Sequence, residues 1–131
     1  MVFTNKDELI GMLRNQLKTD KITVWRALKR VYENQTADEQ SSEYTKYDNG
    51  VGFTGADSEF LTSLAKQLLM YGTLSDKQTG CLFKLMPKYA RQIIDGSIGE
   101  GKIIHKYNRY FTTQDDLILY ETSLTNEKKE D

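Results

Sequence analysis

Residues 49–94 decide the fold of this chain. They begin with Asn-Gly-Val-Gly-Phe-Thr-Gly at 49–55, continue as a periodic apolar segment to Tyr71, stop at Gly72, and resume after Ser75. Apolar residues that recur every three or four positions predict one helix over about 56–71 and a second over about 75–94. Gly72 is a typical left-handed helix terminator, and Ser75 is a typical N-cap. The stretch therefore predicts a loop, a helix, a turn and another helix.

The two predicted helices differ in regularity. The first carries a wide apolar stripe, spread over about 140° of the helix surface. Its members are Phe60, Leu61, Leu64, Ala65, Leu68 and Tyr71. The second contains Pro87, which lacks an amide proton and clashes with the preceding turn, so a kink or a split into two helices is expected near residues 83–87. Its apolar side is formed by Leu82, Leu85, Met86, Tyr89, Ala90 and Ile93.

Two more helices precede this stretch. The pattern predicts them over about 5–18 and 21–34, with Asn5 and Asp20 among the candidate caps. Two or three residues join them, which favours an antiparallel pair. The polar residues 35–48 have no helical period and predict a loop, with a short helical turn at 36–41 as the alternative.

The last third of the chain gives weaker signals. Residues 96–101 are glycine-rich and predict a flexible segment, whereas residues 102–111 are rich in β-branched and aromatic side chains, which favours a strand. Residues 112–116 fit either a hairpin turn or a helix cap, and the spacing of Thr113 and Asp116 favours the cap.

The predicted fold class is mainly α. We expect a small bundle of about four to five helices, with a short β-hairpin near the C-terminus. Residues 1–124 are expected to form a single helical domain, and residues 125–131 a charged, frayed end.

Length and composition exclude several classes of protein. The chain has 131 residues, a net charge of −1 and one cysteine. One cysteine cannot form an internal disulfide, which is typical of a reducing cytosol. No apolar run approaches the ~20 residues that a membrane helix requires, and the first residues lack the pattern of a signal peptide. We therefore expect a cytoplasmic protein without a membrane partner.

Three features raise the question of catalysis or ligand binding, and each has a simpler explanation. Residues 50–55 match G-x-G-x-x-G, but that motif should follow a buried strand, and here it follows a polar segment. We interpret it as a turn that inserts Phe53 into the core and caps the helix that follows. Cys81 and His105 are single residues, too few for a zinc site and only formally a nucleophile pair. The acidic residues between 38 and 59 suit a solvated loop better than a magnesium site. The sequence thus predicts no catalytic residue, no metal and no cofactor.

The strongest functional signal is a row of cations on the second helix of the stretch. It comprises Lys77, Lys84, Lys88 and Arg91, flanked by Gln78 and Gln92. On a straight helix the four cations fall within about 60° of one another, with no acid between them. Such a row is typical of contact with a phosphate backbone, and Lys102, Lys106 and Arg109, interleaved with tyrosines, would extend it. The sequence therefore predicts binding to DNA or RNA, and the simpler alternative is the charged outer face of any amphipathic helix.

Several segments also share a recognisable pattern. Residues 25–40 read Trp-Arg-Ala-Leu-Lys-Arg-Val-Tyr-Glu-Asn-Gln-Thr-Ala-Asp-Glu-Gln, and residues 49–60 read Asn-Gly-Val-Gly-Phe-Thr-Gly-Ala-Asp-Ser-Glu-Phe. Leu-Ser-Asp-Lys-Gln follows at 74–78, and Lys-Tyr-Ala-Arg-Gln-Ile at 88–93. The combination resembles small proteins and domains of bacteriophages and mobile elements, some of them found near helicase or recombination functions. The resemblance implies a shared fold and a phage or mobile-element context, with the host cytoplasm as the location.

The resemblance also changes how the polar segment after the second helix is interpreted. Gln35, Thr36, Asp38 and Glu39 belong to the shared pattern. They are expected either to pin the second helix to the glycine loop or to contact a protein partner. The alternative function that follows is a protein-binding module that adapts or inhibits a host or phage enzyme.

Overall fold

The computed structural model describes the backbone of residues 1–41 and 52–130, and the side chains of residues 1–35 and 52–125. Within these residues the chain is mainly helical with a small antiparallel sheet, which confirms the predicted fold class. In order, the elements are β1 (Val2–Phe3), α1 (Lys6–Thr19), α2 (Lys21–Ser41), α3 (Ser58–Tyr71), α4 (Asp76–Leu85), a 3₁₀ turn (Met86–Tyr89), α5 (Ala90–Gly99), β2 (Ile104–Lys106), β3 (Arg109–Phe111) and α6 (Gln114–Glu130). No helix in the described part of the chain has the length and hydropathy of a membrane span.

The chain divides into two compact units. The helical unit is Met12–Ile93, and the terminal unit combines Met1–Gly11 with the chain from Ile94 onwards. α1 and α5 each begin in one unit and end in the other.

The helical unit is built around α2. This helix packs against α3, α4 and the 3₁₀ turn. Val24, Leu28 and Val31 are fully buried on it because their spacing of four and three places them on one face. From the other elements the core receives Leu61, Leu64, Ala65, Leu68, Leu74, Leu82 and Met86. One buried hydroxyl links α2 to α4. Thr79 Oγ1 donates to the Ser75 carbonyl oxygen (2.9 Å) and accepts a hydrogen bond from the Trp25 indole nitrogen (3.0 Å).

Pro87 splits the predicted second helix, as expected. α4 ends at Leu85, the 3₁₀ turn holds Pro87 in its first positions, and α5 starts at Ala90. The tighter turn satisfies the backbone where proline offers no amide proton. Met86 and Tyr89 point into the core from this turn. The predicted flexible segment at 96–101 is wrong for residues 96–99, which continue α5.

Three helix N-caps behave as their local sequence predicts, whereas Asp57, at the N-cap position of α3, makes no side-chain capping hydrogen bond. Ser75 and Gln78 form a reciprocal capping box at the start of α4, Asp20 Oδ1 accepts from the Thr23 amide (3.1 Å), and Thr113 Oγ1 accepts from the Asp116 amide (3.1 Å). Gly72 ends α3 with φ +75°, and its amide donates to the Leu68 carbonyl oxygen. Residues 112–116 are thus a cap and not a hairpin turn.

The terminal unit contains the sheet. Its order is β1-β3-β2, and both pairings are antiparallel. The predicted strand at 102–111 is a hairpin, because the chain reverses at Tyr107 and Asn108, which have φ values of 57° and 58°. Phe111, on the central strand, is fully buried, and Leu117 of α6 is also in the core of this unit.

One further boundary and one helix face differ from prediction. α2 continues to Ser41 and so includes the helical turn expected at 36–41, instead of ending near 34. On α3, Phe60 and Tyr71 are 44% and 70% exposed, so the predicted apolar stripe is too wide. Burial is confined to Leu61, Leu64, Ala65 and Leu68, because a helix that packs on one side buries only a narrow arc.

Candidate nucleic-acid interface and its polar surroundings

The predicted row of cations is divided among three elements. Lys77 and Lys84 lie on α4, Lys88 in the 3₁₀ turn and Arg91 on α5. All four are exposed. The 60° arc calculated for one straight helix therefore does not apply to these four side chains.

Lys77 and Lys84 share a face of α4 with two small residues. At 100° per residue, Lys77, Gly80, Cys81 and Lys84 occupy an arc of about 100°, and the two lysines are about 10 Å apart along the axis. We call this set the α4 face. A Cβ atom placed on Gly80 would meet nothing within 4 Å. Across the side chains that the structure describes, no carboxylate pairs with Lys77 or Lys84.

Gln78 is occupied by structural hydrogen bonds. Its Oε1 accepts from the Ser75 amide (2.9 Å) and from Gln67 Nε2 (3.1 Å), and its Nε2 donates to Gln67 Oε1 (3.1 Å). These bonds cap α4 and tie it to α3. The side chain would have to break them to contact a ligand.

Lys88 is turned toward a carboxylate on the loop before α3. Its Nζ forms an ion pair with Asp57 Oδ2, and the same oxygen accepts from the Tyr89 hydroxyl (2.9 Å) and from Thr54 Oγ1 (3.4 Å). The Tyr89 hydroxyl also accepts from the Thr54 amide (3.1 Å). We call these four residues the Asp57 network.

The network changes the acid–base properties of its members. Burial tends to raise the pKa of Asp57, but the hydrogen bonds from Lys88 and Tyr89 and the charge of Lys88 outweigh it, so the pKa of this carboxyl lies below its ordinary value. The bond to Asp57 raises the pKa of the Lys88 ammonium, against the effect of its own burial. Burial raises the pKa of Tyr89. Asp57 and Lys88 are therefore both charged at neutral pH.

Two glutamines hold the adjoining backbone. Gln35 Oε1 accepts from the Phe53 amide (2.9 Å), while Gln92 accepts from the Gly52 amide (2.9 Å) and donates to its carbonyl oxygen (3.0 Å). Phe53 is inserted into the core, as predicted, and its ring meets Tyr89 edge-on at 5.8 Å. The expectation that Gln35 pins the second helix to the glycine loop is confirmed. Thr36, Asp38 and Glu39 follow it on α2, but their side chains lie outside the described residues.

Lys102, Lys106 and Arg109 lie in the terminal unit, each beside a partner. Lys102 is 3.5 Å from Glu100, Lys106 is 3.4 Å from Glu121, and Arg109 Nε donates to the Tyr120 hydroxyl (3.1 Å). By sequence the terminal unit has six basic and ten acidic residues, and the helical unit has twelve basic and nine acidic ones. The helical unit therefore carries a small net positive charge, and the terminal unit a net negative one.

The residues considered for catalysis belong to different units. Cys81 belongs to the helical unit, and His105 belongs to the terminal unit, where its ring stacks on Tyr110 at 4.3 Å. Among the described residues there is no group of three or more His, Cys, Asp or Glu side chains arranged to hold a metal ion.

Sequence reasoning missed Asp57 and Tyr89 as members of one polar network with Lys88. Spacing could not reveal it, because Asp57 and Lys88 are distant in the chain. Gln35, Gly52, Asp57, Lys88, Tyr89 and Gln92 all lie in the segments quoted above for the resemblance.

Comparison of the chain with protein-family models, with curated proteins and with solved structures finds no match.

Gly52→Ala should destabilise the protein by at least about 2 kcal/mol. Gly52 has φ +89°, and an added Cβ would lie 2.7 Å from Gln35 Cβ. The measurement is urea unfolding followed by circular dichroism. Gly55→Ala is the matched control, because a Cβ there meets nothing within 4 Å, and equal losses in the two variants would contradict the expectation.

The stabilising effect of Asp57 should disappear in acid. Because its pKa is lowered in the folded state, the carboxylate stabilises the fold above the ordinary aspartate pKa, and this contribution is lost as the pH falls through the folded-state pKa. The difference in unfolding free energy between wild type and Asp57→Asn should therefore shrink from about pH 5 to about pH 3. A difference that stays constant over this range would show that the ionised form of Asp57 contributes nothing.

Proposed function

We propose that this protein is a non-enzymatic accessory protein that binds nucleic acid through the α4 face. The observation that carries the proposal is the pair Lys77 and Lys84. Both are exposed, they flank the small residues Gly80 and Cys81, and neither pairs with a carboxylate in the described part of the chain.

The geometry of the α4 face suits a phosphate backbone. Two ammonium groups about two helical turns apart can contact phosphates of the same strand while the small residues between them let the backbone approach the helix. Binding would release counterions from the nucleic acid, which makes the affinity depend on salt. The excess of basic over acidic side chains in the helical unit adds long-range attraction.

The proposal is narrower than the surface predicted from the sequence. The side chain of Gln78 is occupied by hydrogen bonds that cap α4, and the charge of Lys88 is neutralised by Asp57. Lys102, Lys106 and Arg109 each have a partner within the terminal unit. Support is therefore strongest for Lys77 and Lys84. The resemblance to phage and mobile-element proteins is compatible with this function and does not specify it.

Replacing Lys77 and Lys84 together by glutamine should weaken binding to labelled DNA and RNA oligonucleotides. The slope of log K against log salt concentration should fall by about 1.5, the contribution of two phosphate contacts. Fluorescence anisotropy over a salt series measures both quantities. The control removes the same charge elsewhere in the helical unit, with Lys18→Gln and Lys66→Gln. The proposal fails if both double variants bind like wild type, or if wild type does not bind.

A second candidate function, contact with a protein partner, is favoured by three consecutive exposed side chains. Leu69, Met70 and Tyr71 end α3 and are 51%, 73% and 70% exposed. Exposed apolar and aromatic groups of this kind are enriched in the centres of protein interfaces. A module that adapts or inhibits a host or phage enzyme would use this surface.

Met70→Lys with Tyr71→Lys should abolish capture of such a partner and change stability by less than about 1 kcal/mol, because both side chains are exposed. Affinity capture from host lysate, followed by mass spectrometry, is the test. Ile22→Lys is the control, since Ile22 is 54% exposed on a different helix. A stoichiometric partner retained equally by both variants would exclude this surface.

A further inference from the structure

We propose that Asp57 is an electrostatic gate on the nucleic-acid interface: its carboxylate holds Lys88 and keeps this lysine from contributing to phosphate binding. The inference rests on the proposed function and concerns how that interface is regulated. It assigns Lys88 a role different from that of Lys77 and Lys84, although the three looked equivalent in the sequence.

The position of Asp57 supports a role other than helix capping. Asp57 occupies the N-cap position of α3, yet its side chain makes no capping hydrogen bond. The carboxylate points instead to Lys88, Tyr89 and Thr54. An aspartate at an N-cap normally accepts from the first amides of the helix, so here the side chain has given up that bond for the ion pair.

The two partners of the ion pair differ in exposure. The Asp57 side chain is 11% exposed, and that of Lys88 is 48% exposed. Tyr89 and Thr54 donate to the carboxylate from the protein side, whereas the ammonium belongs to a half-exposed side chain and has two further protons to donate. Lys88 is therefore the partner that can move, and Asp57 is the fixed one.

The ion pair weakens the interaction of Lys88 with a phosphate ligand in two ways. The carboxylate cancels the charge of the ammonium, so a phosphate bound there would release few additional counterions. A phosphate close enough to contact Lys88 would also face the negative charge of Asp57 across a few ångströms. Removing that one carboxyl charge opens the gate and adds Lys88 to the interface.

When Lys88 leaves Asp57, the other hydrogen bonds of residues 52–57 are kept. If Lys88 turns to a phosphate, the Asp57 carboxylate still accepts from the Tyr89 and Thr54 hydroxyls, and Gln35 and Gln92 still hold the backbone of Phe53 and Gly52. The exchange of partners by Lys88 therefore needs no unfolding of the segment 52–57.

The test compares four variants with wild type: Asp57→Asn, Lys88→Gln, the double variant Asp57→Asn with Lys88→Gln, and Glu59→Gln as the control. Glu59 is an exposed carboxylate in the first turn of α3, and its replacement removes the same charge two residues away. The probes are labelled oligothymidine and a mixed-sequence duplex, each titrated over a salt series. Thermal unfolding of every variant verifies that it is folded.

We expect Asp57→Asn to bind about five- to tenfold more tightly at low salt, with a salt slope steeper by about 0.7–0.9, equivalent to one added phosphate contact. Lys88→Gln should keep the salt slope of wild type, because the gate already prevents Lys88 from contacting a phosphate. Its affinity should fall slightly, since the charge of Asp57 is then no longer cancelled. The double variant should lose the gain in slope, and Glu59→Gln should leave the slope unchanged.

The gate is wrong if Lys88→Gln lowers the salt slope by the amount of one phosphate contact, about 0.7–0.9, or if Asp57→Asn has the affinity and slope of wild type. It is also wrong if Glu59→Gln reproduces the full effect. Lys88→Gln decides the question even if Asp57→Asn does not fold. When Lys77 and Lys84 matter and the Asp57 variants show no gain, the gate alone fails. When neither wild type nor Asp57→Asn binds either probe, the proposed function fails with it.

Discussion

The fold of the helical unit depends on how the backbone of Gly52 and Phe53 is satisfied. Phe53 enters the core from a loop, and a loop brings amide and carbonyl groups that no helix or strand pairs. Gln35 and Gln92 supply those partners from α2 and α5. Leaving a buried amide without an acceptor costs about 1–3 kcal/mol, so the two glutamines stabilise both the loop and the placement of the aromatic ring.

The loop at residues 52–57 also determines the position of a charged side chain, Lys88. The two glutamines hold the backbone at one end of the loop, and Asp57 holds its other end through Tyr89, Thr54 and Lys88. A cation that looks available for a ligand is therefore part of the scaffold. Pro87 contributes to this arrangement, because the 3₁₀ turn that contains it also carries Lys88 and Tyr89. One proline thus separates Lys77 and Lys84, which face solvent on α4, from Lys88, which faces Asp57.

Local signals predicted most of the helical structure. Ser75, Asp20 and Thr113 act within one turn of their own position, and Pro87 acts on the turn before it, so their effects can be read from neighbouring residues. The two-residue strand β1 has no period to detect, and its partner is β3 at the far end of the sequence. The exposure of Phe60 and Tyr71 depends on which neighbours cover α3. The Asp57–Lys88 pair was beyond local reasoning for the same reason, since only tertiary folding brings the two together.

The division of the chain into units has a consequence for the order in which it can fold. The helical unit is one continuous segment, Met12–Ile93, whereas the terminal unit combines both ends of the sequence. Val2 of β1 pairs with Phe111 of β3. During synthesis on the ribosome, all the residues of the helical unit are available before β3 exists, while β1 must wait for its partner. β1 is therefore translated before the helical unit but pairs with β3 only after that unit has been synthesised, and α2, α3 and α4 can assemble without it.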